Sequence, residues 1–292
     1  MKGEPLAAVK KGVADPAQAP LIHDLMHQAV ADVVTTIQTD ERFAIGGAYS
    51  DEELGRRTEA LEEVAAPVVR AAAWGGFYGA PNTKALWPGL VGRLANGIDR
   101  TLKNPAHDVW PILHQHPAVL LLYAAGIGAM AGDRPDLLAP LLARRAVLEG
   151  NELRAVALQI HAITPFINDI SNRLPGRTTR TSASDRVYQA VLPAFDGLIP
   201  DEPAFAREFD RFEYLLTLVR FDATRGDGDR GWAPGGRFVW RRENGIRVMD
   251  EMKAEINAMG SDWPLLREGL FQGSVDRLAA AVEGFEKTIQ HW

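Results

Sequence analysis

Apolar residues recur along most of this chain at three- and four-residue steps, the spacing of a single helix face. From Pro20 they run Leu21, Ile22, Leu25, Met26, Ala29, Val30, Val33, Val34 and Ile37, which predicts an amphipathic helix packed on one side. The next helix is announced by Ser50-Asp-Glu-Glu53. There Ser50 can cap a backbone donor while Glu53 reaches back, and the acids sit at the positive end of the helix dipole. Leu54, Leu61, Val64, Val68 and Val69 form its buried side, with Pro67 expected to kink it.

A Gly-Gly-Phe-Tyr-Gly break at 75–79 precedes a helix expected to begin near Asn82 and to carry Leu86, Leu90, Leu94 and Ile98. His107 to Pro117 reads as a short helix and turn. A helical hairpin follows, Pro117 to Ala131 and Asp136 to Arg144, turning at Gly132 to Pro135. Its small residues, Ala124, Ala125, Gly126, Gly128 and Ala131, are expected to let the two hairpin backbones approach closely. Further helices are predicted over 153–173, 184–195, 203–220, 242–259 and 274–291, with Ser184 or Asp185 capping the second and Ser274 with Asp276 opening the last. Arg237 to Arg241 is either a short ribbon or a loop that inserts Phe238 and Trp240 into the core. The fold class is therefore all-α, an irregular bundle of about ten helices with helical hairpins. A flexible arm is expected over 1–19, and a helical domain over 20–292 that is divisible into lobes 20–150 and 151–292.

Composition narrows the chemistry. The chain has 292 residues and no cysteine, so disulfides, thiolate nucleophiles and cysteine-ligated zinc or iron–sulfur centres are excluded. Its 38 acidic against 32 basic side chains give a net charge of −6, which disfavours nucleic acid as a partner. The most apolar stretch, Val119 to Gly132, falls short of the roughly 20 residues that span a bilayer and reads as a buried helix, so no membrane partner is expected. With no secretory signal legible at the start, a cytoplasmic location is the expectation.

Candidate chemistry rests on scattered side chains. His23 and His27 stand at i and i+4 on one predicted helix face, a spacing that can chelate a metal, although Asp24 lacks the reach of the glutamate that zinc proteases place there. Either of these histidines, with His107-Asp108 and Asp169, is similar to the ligand order of the HD phosphohydrolase superfamily. That resemblance implies a divalent metal activating water for phosphate-ester cleavage. Arg173, Arg177, Arg180 and Arg186, interleaved with Thr and Ser around a helix start, can gather a small anionic ligand. Glu213 is a helical acid among large apolar neighbours, expected to be buried and paired with an arginine. Trp232 and Trp240 are the candidates for a partner-binding surface. A Gly-x-Ser-x-Gly elbow, a Walker A loop and a Glu-x-x-His repeat are all missing from the sequence.

Three stretches carry a family resemblance: Leu120 to Ala143 (LLLYAAGIGAMAGDRPDLLAPLLA), Phe209 to Arg220 (FDRFEYLLTLVR) and Glu268 to Phe285 (EGLFQGSVDRLAAAVEGF). They resemble the helical C-terminal regions of bacterial multidomain signalling or defence-type proteins, where such a region follows a nucleotide-handling or catalytic domain. The resemblance implies packing motifs and no catalytic residue. The leading expectation is thus a non-catalytic interaction or regulatory module that binds a protein partner or a copy of itself, with no cofactor. The alternatives are a metal-dependent phosphohydrolase and a sensor of a small anionic ligand.

Overall fold

A helix that is apolar on every side must be enclosed rather than laid on a surface. The run Val109–Ala131 is of that kind: 23 residues, long and apolar enough to cross a membrane by composition, yet buried within the protein except at its two ends. The computed structural model describes residues 4–45, 50–79, 83–97, 109–143, 145–148, 152–155, 181–224, 235–243 and 245–290. Around the central run, split at Gln115 into α5 (Val109–His114) and α6 (His116–Ala131), the other helices form an all-α bundle.

The N-terminal half contributes α1 (Glu4–Ala14), α2 (Ala19–Thr39), α3 (Asp51–Tyr78), α4 (Leu86–Gly97) and α7 (Pro135–Ala143). The C-terminal half contributes α8 (Ser182–Val191), α9 (Glu202–Ala223), α10 (Val248–Met259), α11 (Pro264–Arg267) and α12 (Val275–Ile289). One core runs from Val9 to Phe285, so the segments expected as separate lobes share it. Tyr123 of α6 packs its ring on Phe209 and Phe212 of α9, and Tyr214 of α9 packs on Phe238 and Phe285.

Several expectations are corrected. The arm expected over 1–19 is helical over Glu4–Ala14, with Ala8 and Val9 buried, because its own apolar residues find α2 and α3 to pack against. The close approach at the small residues of α6 is made with α3 instead of the hairpin partner α7. A Cβ on Gly128 would lie 2.4 Å from the Ala73 carbonyl oxygen, and one on Gly76 equally close to that of Ala125, so these glycines set how near the two long helices come. Where the helix was expected to begin at 153, residues 153–155 are extended instead, in an antiparallel ribbon of β1 (Arg145–Leu148) with β2 (Glu152–Ala155) that pairs Arg145 with Ala155 and Leu148 with Glu152. Residues 156–173 of that expected helix lie outside the described residues.

Capping follows the expectation at two helices, where the side chains of Ser50 and Ser274 accept from the backbone N–H of Glu53 and Arg277. Asp201 caps α9 in the same way, accepting from the N–H of Ala204. Glu53, however, turns to Arg56 and Arg57 rather than back to Ser50, since two guanidiniums offer charge-assisted bonds. Ser184 does not cap α8 but lies inside its first turn, buried, with its hydroxyl directed into the core.

Candidate functional site

Histidines separated by four residues on a helix project side by side, and α2 runs unbroken through both. His23 Nε2 and His27 Nε2 are 3.2 Å apart, with Arg93 Nη1 of α4 3.0 Å from His27 Nδ1 and Asp24 Oδ1 3.8 Å from His23 Nδ1. Partial burial, then His23 and Arg93, hold His27 below the ordinary histidine range. Among the described residues no group of three or more metal-ligating side chains forms. The other candidates for the hydrolase, His107, Asp108 and Asp169, lie outside the described residues. So do Arg173, Arg177 and Arg180 of the anion reading, and Trp232.

The remaining arginine of that reading is committed elsewhere. Arg186 grips both oxygens of Glu62 at 2.6 and 2.5 Å, and His116 Nε2 lies 3.0 Å from the same carboxylate. Burial pushes Glu62 upward, but His116 and Arg186 together outweigh it and hold its pKa below the usual range. This triad joins α3, α6 and α8 from within. Close by, burial and the charge of Arg57 push His114 down to about 4, so it is neutral at pH 7.

A second polar centre lies deeper. Glu213 of α9 is 2% exposed and accepts from the Tyr123 hydroxyl at 3.0 Å and the Ser184 hydroxyl at 2.8 Å. Ser184 in turn accepts the backbone N–H of Arg237, which ties the segment 235–241 to α8 and α9. Gly236 lies so close that a Cβ there would fall 1.7 Å from Glu213 Oε2. Only glycine lets the loop cross over the carboxyl. Burial pushes Glu213 up to about 8. The arginine expected beside it serves Asp210 instead: Arg241 bonds Asp210 at 3.0 Å, and Arg237 approaches at 3.4 Å while its guanidinium stacks 3.7 Å from the Tyr188 ring centre. Burial outweighs both arginines and raises Asp210 to about 6. Phe238 fills the core from this loop as expected, whereas Trp240 stays 47% exposed, with Ile246 exposed nearby in the chain.

A concavity with an apolar floor lies elsewhere, between α1, α2 and α3. It encloses about 300 Å³ above Leu25, Ala29, Val33, Val64, Pro67 and Val68. Pro5 of α1 with Gln28, Asp32, Thr36, Arg42 and Glu63 completes its lining. Asp32 takes the Gln28 amide at 2.8 Å, and Arg42 is held by both its Nε and Nη2 on Asp40. The α2 stripe made this floor legible in part. Not legible was α1, which adds Pro5 to the lining.

No family model, no curated protein and no solved structure matches this chain.

Proposed function

We propose that the chain is a helical interaction module whose groove between α1, α2 and α3 receives the apolar stripe of a partner protein's helix. One observation carries this reading: the groove has a continuous aliphatic floor, about 300 Å³ of space, and a polar margin. That is the architecture of helix-in-groove recognition, in which anchors at i, i+3 and i+4 enter an apolar trough. The margin selects the partner's charge. Asp32 sets a carboxylate in that margin beside the neutral Gln28 amide, while the guanidinium of Arg42 is held by Asp40. The complementary helix therefore carries lysine or arginine beside its apolar stripe. The half-exposed Trp240 offers a second contact in the same reading.

The alternatives have less support. The hydrolase reading, with its divalent metal, rests on His107, Asp108 and Asp169, while His23 and His27 face each other and Arg93. The anion sensor rests on the Arg173 to Arg180 loop, because Arg186 is bound to Glu62.

The test is site-specific photo-crosslinking of the full chain in its native cells, with the reactive group at Leu25 in the groove or at the exposed Glu283 of α12. A crosslinked peptide with an apolar stripe and basic flanks, obtained from position 25 only and lost when Ala29→Trp fills the groove, is the expected result. Equal capture from both positions, or capture undiminished by the filled groove, overturns the proposal. A crosslink to this same chain would identify the partner as a second copy.

A further inference from the structure

We infer that His23 and His27 form a two-imidazole chelate for a borderline divalent cation of the zinc, nickel or copper class, with Arg93 as its built-in antagonist. This inference stands apart from the groove and does not depend on it.

Both rings project from one unbroken helix, so no loop has to fold to bring them together. Their centroids are 4.3 Å apart and their Nε2 atoms 3.2 Å apart. A cation at the usual 2.0 to 2.1 Å from each nitrogen would subtend an N–metal–N angle of roughly 103°, between the octahedral and tetrahedral values. Imidazole nitrogen is the donor that suits these metals. The hollow in front of the pair, bordered by Asp24, Gln28 and Arg93, is wide open, which leaves the remaining coordination positions to water. Asp24 also lies on the Nδ1 side of His23, where a carboxylate orients a metal-bound imidazole.

The second element is Arg93. A guanidinium only donates, so its 3.0 Å approach to His27 Nδ1 requires a lone pair on that nitrogen. The ring hydrogen of His27 then occupies Nε2 and points at His23 Nε2. A metal needs the lone pair at His27 Nε2 instead. Binding therefore shifts one hydrogen of His27 from Nε2 to Nδ1 through solvent, with no change in the ring's charge, and displaces the exposed Arg93 from its bond. Arg93 thus stabilises the metal-free tautomer.

The metal-stripped full chain is titrated calorimetrically with Zn²⁺ and with Ni²⁺, alongside His23→Ala, His27→Ala and Arg93→Gln, each checked by far-ultraviolet circular dichroism and melting. The expected result is one equivalent of cation bound by the parent chain, weakened at least about tenfold in either histidine variant, and bound several-fold more tightly by Arg93→Gln. His23→Gln, which keeps the helix propensity, should behave as His23→Ala does. No uptake by the parent chain, or uptake equal in both histidine variants, overturns the site. Affinity that is unchanged or weaker in Arg93→Gln overturns the antagonism.

Discussion

Glu62 and Glu213 are both enclosed helical carboxyls of the same chemical type, and the fold drives them in opposite directions. Glu62 faces the Arg186 fork and His116, and stays charged with a lowered pKa. Glu213 has the hydroxyls of Tyr123 and Ser184, neutral donors that do not offset the loss of water, and its pKa rises to about 8. A buried carboxyl is thus set by the charge of its partners more than by their number. The consequence is a division of labour: the Glu62 triad is an ionic clamp among three helices, and the Glu213 centre is a neutral hydrogen-bonded knot that fastens the 235–241 loop.

The largest contrast should appear in the dependence of stability on pH. Glu213 has a folded pKa raised above its ordinary 4.5, so its contribution is fully present below about 4.5 and is lost as pH rises through about 8. Asp210 adds a loss of the same sign between 3.8 and about 6. Chemical denaturation across this range should show a fall on the order of several kcal/mol attributable to Glu213, and Glu213→Gln should flatten the limb above pH 6. A parallel pair of curves would mean that Glu213 ionises normally.

Next in size is Arg186→Ala, which leaves Glu62 with His116 alone and is expected to cost about 3 kcal/mol at pH 7. Glu62→Gln should cost somewhat less, because the amide can still accept from Arg186. Its deficit must shrink in acid: the lowered pKa of Glu62 means that its contribution is present above about 4.5 and disappears as pH falls through the folded value. Urea midpoints at pH 7 and pH 4 read both effects. The smallest change is expected from Tyr123→Phe, about 1 kcal/mol at pH 7, for the loss of one donor to a buried acceptor. It should also shift the alkaline limb to higher pH, as Glu213 loses one of the bonds that favour its charged form.

Much of the fold was legible along the chain, for reasons that particular residues make plain. The stripe from Leu21 to Ile37, the cap at Ser50 and the all-round apolar run into α6 are local signals, and the helices stand where they indicated. The misread places are those where distant residues intervene. Glu53 left its reciprocal cap for Arg56 and Arg57, and Ser184 left the start of α8 for Glu213, 29 positions away. The candidate site was less legible still. The spacing of His23 and His27 was visible, but Arg93 reaches them from 66 residues further on. The groove could not be read from the α2 stripe, since it exists only where α1 and α3 fail to close over that stripe completely.

By itself, then, the sequence determined the all-α class, most helix positions, the exclusion of thiol chemistry and the burial of Glu213, because each follows from local periodicity or from composition. Tertiary structure alone decided which backbone the glycines of α6 would touch, which buried carboxyl would keep its charge, and which nitrogen of His27 would carry the hydrogen. Those outcomes depend on close approach and on desolvation among groups far apart in the chain, and both are fixed only when the helices pack.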